Sequence, residues 1–124
     1  MHALDPILVV DDTLPYRQMV ASILAPRGHR VTTAADGLEA LDRLRATHEP
    51  HVVLLDIVMP RLDGIGLWRE SQSNPVLSGA GHRVIFMSTS SRLNAPSTPP
   101  AHGHLAKPFT REQLLAAIEE TRLN

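Results

Sequence analysis

The sequence predicts an α/β fold built on a parallel sheet, and two features of its apolar pattern predict it. Apolar runs of four or five residues alternate along the chain with longer segments whose apolar residues recur at helical spacing. Runs such as Ile7-Leu8-Val9-Val10 and Val52-Val53-Leu54-Leu55 are apolar throughout, which is typical of strands covered on both faces. The predicted strands lie at 6–10, 30–34, 52–55, 83–87 and 104–106.

The first two helices are predicted from the signals at their ends. Thr13 is the expected N-cap of the first helix, Pro15 is tolerated in its first turn, and Pro26-Arg27-Gly28 ends it. Asp36-Gly37-Leu38-Glu39 is a capping-box pattern that begins the second helix. The residues predicted to face the sheet are Val20, Ile23, Leu24, Leu38, Leu41 and Leu44.

The second half of the chain contains two further predicted helices. One covers 65–73 and ends at Asn74-Pro75, and the stretch 78–81 is a predicted loop. Thr110-Arg111-Glu112-Gln113 is another capping box and begins the last helix, with Leu114, Leu115 and Ile118 inward. Since no repeat or linker interrupts this pattern, we expect a single domain spanning 1–124.

Composition excludes several classes of function. The net charge of −1 gives no electrostatic drive toward nucleic acid or anionic membranes. The chain has no cysteine, which excludes disulfides and thiol chemistry. No apolar stretch approaches the roughly 18 residues of a membrane span, and the first residues do not resemble a signal peptide. We therefore expect a cytoplasmic protein.

Three aspartates and one lysine follow predicted strands. Asp11 and Asp12 come after strand one, Asp56 after strand three, and Lys107 after strand five, before Pro108. The carboxyl ends of parallel strands meet at one edge of the sheet, where such folds bind ligands. Grouped carboxylates repel one another unless a cation is present, and oxygen-only ligands favour Mg²⁺. The pattern predicts a magnesium site suited to a phosphoryl group.

Each of these residues also has an ordinary structural interpretation. An aspartate after a strand is commonly a helix cap or a turn residue, and a lone lysine is commonly solvated. Asp63-Gly64 predicts only a turn before the third helix. The joint arrangement of Asp11, Asp12, Asp56 and Lys107 favours the site, because uncompensated carboxylates side by side would lower stability.

The motifs together resemble the response regulator receiver domain of two-component signalling, and the resemblance covers essentially the whole chain. It implies a doubly wound, flavodoxin-like sheet of five parallel strands flanked by helices. Each motif alone is weak, and their order at successive strand ends is what makes the resemblance specific. The motifs are Val9-Val10-Asp11-Asp12, Leu55-Asp56, Met59-Pro60 with Asp63-Gly64, Ser88, and Lys107-Pro108-Phe109.

The resemblance implies that Asp56 accepts a phosphoryl group from a histidine kinase or a histidine phosphotransfer protein. The carboxylate would form an acyl phosphate, which is a form of covalent catalysis. Asp11, Asp12, Asp56 and the backbone carbonyl of Val58 are the implied Mg²⁺ ligands. Mg²⁺ offsets charge on the transferring group and orients it, which is most of what phosphoryl transfer requires.

Five other positions take roles from the same resemblance. Lys107 pairs with Asp56 and later with a phosphoryl oxygen, and the hydroxyl of Ser88 moves to bond the phosphoryl group. The backbone amide of Thr89 is a further donor. The kinase contact is expected on the first helix, around Arg17 and Ala21.

Two departures from the family pattern are individual to this chain. The segment 88–103 contains Pro96, Pro99 and Pro100, and each proline removes an amide donor and restricts the residue before it. We therefore expect the family's fourth helix to be short or replaced by a Pro-rich loop, which puts the usual dimerisation through that face in doubt. His104 stands where the family usually has Tyr or Phe, three residues before the lysine, so we hypothesise that it is a switch residue. An exposed histidine without a role is the ordinary alternative.

Three classes of function remain. The first is a stand-alone phosphoacceptor switch that acts through protein contacts rather than by binding DNA. The second is a pseudo-receiver, a protein-binding module that does not switch through phosphate. The third is an enzyme on a similar sheet, such as a phosphatase of haloacid-dehalogenase type, but that chemistry needs a second acid where Val58 stands. We favour the first class because the acceptor, the acidic pair, the hydroxyl and the lysine are all present.

Overall fold

The computed structural model describes residues 4–59, 63–88 and 102–122. Its centre is a sheet of five parallel strands in the order β2-β1-β3-β4-β5. This is the flavodoxin-like order, so the predicted fold class is confirmed. The strands are β1 (Ile7–Val10), β2 (Val31–Ala34), β3 (Val52–Asp56), β4 (Arg83–Ser88) and β5 (Gly103–Ala106).

Helices cover both faces of the sheet. They are α1 (Leu14–Leu24), α2 (Gly37–Arg45), α3 (Gly64–Ser73), α4 (Pro75–Gly79) and α5 (Arg111–Glu120). A 3₁₀ turn at Ala25–Arg27 follows α1 and ends at Gly28, whose φ of 100° lies in the left-handed region that glycine tolerates. No helix in the described part of the chain is both long and apolar enough to cross a membrane.

The two faces of the sheet have separate cores, since successive strand residues point to opposite sides. Leu8, Val10 and Phe86 pack with α2 and α3 on one face. Ile7 and Val9 pack with α1 and α5 on the other. β1 and β3 are buried along their whole length, which explains their unbroken apolar sequences.

Side chains cap the starts of three helices. Asp36 accepts from the amide of Glu39 at 2.9 Å, and Asp63 accepts from the amide of Gly66 at 2.8 Å. The capping box of α5 is complete, because the Thr110 hydroxyl accepts from the Gln113 amide and the Gln113 side chain accepts from the Thr110 amide. These caps confirm the predicted starts of α2 and α5.

Three expectations about the helices need correction. Leu38 is 44% exposed, because the inward stripe of α2 runs through Gly37, Ala40, Leu41 and Leu44. Ser78 and Gly79 belong to the short helix α4 instead of a loop, since the Asn74 carbonyl accepts from the Ser78 amide and begins a new turn. Thr13 occupies the N-cap position but makes no side-chain cap to α1.

The predicted loss of the helix between β4 and β5 concerns residues 89–101, which lie outside the described residues, and the prediction stays open. Thr89 lies there as well. The predicted strand five is confirmed and begins one residue earlier, at Gly103.

Candidate functional site

The predicted site residues meet at the carboxyl edge of the sheet. Asp11 directly follows β1, Asp56 ends β3, and Lys107 directly follows β5. The register places Ser88, the last residue of β4, beside Ala106, the last residue of β5. Parallel strands bring their carboxyl ends together, so residues far apart in sequence lie side by side.

The first turn of α1 fixes Asp11, whose side chain is completely buried. Its Oδ1 accepts from the amide of Thr13 at 2.9 Å and from the Thr13 hydroxyl at 2.8 Å. Its backbone carbonyl accepts from Nη1 of Arg17 at 2.7 Å. Thr13 therefore holds this carboxylate instead of capping the helix, a role we did not predict. An aspartate two residues before a threonine is the pattern of an Asx turn, and that signal was present in the sequence.

Lys107 joins the two buried carboxylates. Its Nζ donates to Asp11 Oδ2 at 2.6 Å and to Asp56 Oδ2 at 3.0 Å. The lysine side chain is only 14% exposed, so these are charge-assisted bonds in a largely desolvated setting. The prediction paired Lys107 with Asp56 alone, and the shorter bond is to Asp11. The Lys107–Pro108 peptide bond is cis.

The ionisation of the site follows from burial and from these bonds. Burial raises the pKa of the Asp56 carboxyl, the charge of Asp11 adds to that rise, and the bond from Lys107 opposes it. For Lys107, burial by itself lowers the pKa, but the bonds and charges of Asp11 and Asp56 outweigh burial, and its pKa is raised. The lysine therefore stays cationic at neutral pH.

Asp12 completes an acidic cluster. One carboxylate oxygen from each of Asp11, Asp12 and Asp56 lies within 4.8 Å of the others. Asp12 is exposed while the other two are buried, so the cluster opens to solvent on one side. Three carboxylates and one ammonium leave two negative charges, which one divalent cation would neutralise. Oxygen-only donors suit Mg²⁺, so the residues present fit the predicted ion.

Two further predicted site residues, Val58 and Ser88, lie close to Asp56. Val58 follows it by two residues in the chain, and Ser88 lies on the neighbouring strand. The amide of Val58 donates to Asp56 Oδ1 at 3.1 Å, and its side chain is 51% exposed. Ser88 is buried, and its carbonyl accepts from the Lys107 amide at 2.8 Å. The proposed roles of the Val58 carbonyl and the Ser88 hydroxyl stay predictions.

His104 lies on the outer strand β5 and is exposed. The register pairs it with Phe86 on β4, and the two ring centroids are 6.1 Å apart. The histidine ring thus stands at the surface above a fully buried phenylalanine. Its role as a switch stays a hypothesis.

The predicted kinase contact lies on α1. Arg17 is half-buried, with one guanidinium nitrogen bonded to the Asp11 carbonyl, and Ala21 is half-buried one turn further along. The bond gives Arg17 an internal role that we did not predict. The kinase contact itself stays a prediction.

Gly64 is a further residue that sequence reasoning treated only as part of a turn. A Cβ at this position would lie 2.2 Å from the backbone oxygen of Asp56. The start of α3 therefore packs directly on the backbone of Asp56, and only glycine permits that approach.

Fold and site together define the class of protein: a flavodoxin-like α/β domain with a partly buried acidic cluster and a paired lysine at the carboxyl edge of its sheet. The model of the response regulator receiver domain matches residues 7–119. The chain belongs to the response regulator receiver family.

Known relatives differ in how much of their length this chain spans. It is 40% identical to the response regulator MprA of Mycobacterium sp. (strain KMS) over 90% of this chain and 48% of that protein. The chain therefore spans about half the length of MprA. It is 34% identical to protein PilG of Pseudomonas aeruginosa, over 91% of this chain and 84% of PilG.

Solved structures show the same fold. The chemotaxis response regulator CheY4 of Vibrio cholerae is 28% identical, with a TM-score of 0.81, and the match covers 95% of this chain and 98% of CheY4. The resemblance predicted from the motifs is confirmed.

Proposed function

We propose that this chain is a signalling switch in which Asp56 accepts a phosphoryl group in a Mg²⁺-dependent reaction. One observation supports the proposal above the others: Asp56 lies within reach of two further carboxylates and a lysine that is bonded to it at 3.0 Å. An acceptor, a set of cation ligands and a positive charge for the incoming oxygens are the parts that phosphoryl transfer requires.

Phosphoryl transfer to Asp56 would form one bond to phosphorus and break another. An Oδ atom of Asp56 attacks phosphorus, the P–N bond of a phosphohistidine breaks, and the imidazole leaves and takes up a proton. Mg²⁺ bound by Asp11, Asp12 and Asp56 would offset the negative charge of the transferring group. Lys107 holds Asp56 in place beforehand and is positioned to pair with a phosphoryl oxygen afterwards.

The donor we propose is a histidine kinase or a histidine phosphotransfer protein in the cytoplasm. Phosphohistidine is a reactive phosphoryl donor, and a divalent cation beside Asp56 would favour the ionised carboxylate that attacks phosphorus. The whole domain, residues 1–124, would act as one unit that changes a protein-binding surface when Asp56 is modified.

The test uses the intact chain, Mg²⁺ and a small acyl phosphate donor such as acetyl phosphate. We expect the intact mass to increase by one phosphoryl group, and we expect no increase for Asp56→Asn or in excess chelator. The variant is a matched control, because the amide keeps the size of the side chain but cannot form a stable acyl phosphate. A wild-type chain that gains no mass, and that also fails to bind beryllofluoride, would instead be a pseudo-receiver.

A further inference from the structure

The site lysine touches an aromatic ring that no predicted role includes. Tyr16 is the third residue of α1 and is half-buried. The Nζ of Lys107 lies 4.1 Å from the centroid of its ring. An ammonium at that distance over a ring face is attracted by the ring's quadrupole, and the attraction is stronger where water is excluded. The lysine is only 14% exposed, so this contact is largely desolvated.

The ring is itself held in position by the segment that carries the lysine. Phe109 packs on Tyr16 with ring centroids 5.8 Å apart and an interplanar angle of 46°. Phe109 is buried in the core beneath α1 and α5, and Tyr16 packs against the same core. Because Phe109 follows Lys107 by two residues, one turn after β5 provides both the cation and the support for the ring that contacts it.

The ammonium therefore has three attractive neighbours in different parts of the chain. They are Asp11 after β1, Asp56 at the end of β3, and the Tyr16 ring on α1. The two carboxylates accept hydrogen bonds from the ammonium, and a phosphoryl oxygen can take the place of either one, while a bound cation would compete with the lysine for them. The ring face attracts the charge without occupying either acceptor position.

We propose that Tyr16 is a positioning residue that keeps the Lys107 ammonium at the site while the lysine exchanges a carboxylate oxygen for a phosphoryl oxygen. The proposal rests on the proposed function of Asp56. Without the ring, the flexible lysine chain would have one fewer fixed contact during the exchange, and more of its conformations would point to solvent. The ring thereby favours the arrangement that stabilises charge on the transferring group.

The chemical test compares Tyr16→Phe, which keeps the ring, with Tyr16→Leu, which keeps an apolar side chain without a π face. We expect Tyr16→Leu to lower the maximal rate of labelling by acetyl phosphate about three- to tenfold, as the loss of one desolvated cation–π contact implies. The half-saturating donor concentration should change little, because the ring does not touch the donor. Tyr16→Phe should restore the rate to within about twofold of the wild type. Equal rates in all three proteins would overturn the proposal.

A second measurement does not require phosphorylation. The Nζ of Lys107 lies over the ring, so we expect the ring current to shift the NMR signals of the protons on the adjacent carbon upfield. The shift should persist in Tyr16→Phe and vanish in Tyr16→Leu. The signals are assigned to Lys107 by their absence from the spectrum of Lys107→Met. If no upfield shift is found in the wild type, the ring does not hold the lysine and the proposal fails.

The two measurements separate this proposal from the proposed function. If the wild type shows the ring-current shift but is not labelled, the contact between Tyr16 and Lys107 exists and the phosphoacceptor function is wrong. The role of Tyr16 in phosphoryl transfer is then wrong as well. Should Tyr16→Leu not fold by circular dichroism, Tyr16→Met replaces it, since an unbranched thioether fills the same space without a ring face.

Discussion

At the scale of single residues, the site is organised around Asp11, a carboxylate with no exposure to solvent. Burying such a charge is costly unless it is paired and hydrogen-bonded. Thr13 supplies two donors and Lys107 supplies a third, at 2.6–2.9 Å. The charge is therefore stabilised before any cation binds, and bonds within the chain hold the Asp11 carboxylate in place.

His104 is the residue whose proposed role depends most on movement. If it is a switch, its exposed ring should move inward, toward Phe86, when Asp56 is modified. We expect the reactivity of His104 with diethyl pyrocarbonate, measured by mass spectrometry, to fall several-fold when Mg²⁺ and beryllofluoride are added. A buried imidazole is shielded from the reagent, whereas an exposed one is not.

His48 is a suitable internal control, because it is exposed and lies in the turn before β3, away from the carboxyl edge. Its reactivity should stay constant in the same samples. Unchanged reactivity of His104 in both states would show that the ring does not move, and the ordinary interpretation of an exposed surface histidine would stand.

At the scale of elements, the junction of β3 and α3 is the tightest contact near the site. The amide of Gly64 donates to the carbonyl of Ile57 at 3.1 Å, which brings the start of α3 against the end of β3. The Asp63 cap begins the helix at the same point. The position of Asp56 therefore depends on how closely these two elements approach.

The substitution Gly64→Ala should push the start of α3 away from the end of β3. Its Cβ would lie 2.2 Å from the Asp56 oxygen and 3.0 Å from the Ile57 Cα, and both are backbone atoms that cannot rotate away. We expect a loss of about 1–3 kcal/mol in the free energy of unfolding, measured by urea denaturation, as for other overpacked sites. Labelling of Asp56 should slow as well, since its backbone must shift.

Gly79→Ala is the matched control for that variant. Gly79 ends α4, and a Cβ there meets nothing within 4 Å. The substitution should be neutral or stabilise by up to about 1 kcal/mol, because alanine loses less backbone entropy in a helix. Equal stability of Gly64→Ala and Gly79→Ala would contradict the close approach of α3 to the backbone of Asp56.

At the scale of the whole molecule, the edge of the sheet opposite the site has its own titratable group. Nδ1 of His82, just before β4, accepts from the amide of His51 at 3.0 Å. Burial lowers the pKa of His82 below its usual value, and the nearby His51 lowers it further. A proton on Nδ1 would remove this bond between two strand ends.

Stability should therefore fall in mild acid. The folded pKa of His82 lies below the unfolded one, so the unfolded chain binds the extra proton as pH falls below about 6.5. We expect the unfolding free energy of the wild type to decline between about pH 7 and pH 5 more steeply than that of His82→Asn, with a difference of at most about 1.4 kcal/mol per pH unit. His48→Asn, at an exposed position, should keep the wild-type slope, and an equal slope in His82→Asn would contradict the effect.

The sequence by itself determined the fold class, because unbroken apolar runs and helix-end signals are local features. It also determined the identities of the acidic cluster, since Asp11, Asp12, Asp56 and Lys107 each follow a strand and the topology of a parallel sheet brings strand ends together. The caps of α2 and α5 were readable for the same reason: a cap depends on residues three apart in the chain.

Only the tertiary structure decided which atoms meet. The shorter bond of Lys107 to Asp11 and the ring of Tyr16 over its ammonium join segments distant in sequence. The close approach of Gly64 to the Asp56 backbone depends on how α3 packs on β3. The prediction that Leu38 faces the sheet was wrong for a related reason. The packing of α2 on the sheet, and not the identity of the residue, sets which side of the helix points inward. Local patterns specify elements, while distances of a few ångströms between elements arise from how the cores pack.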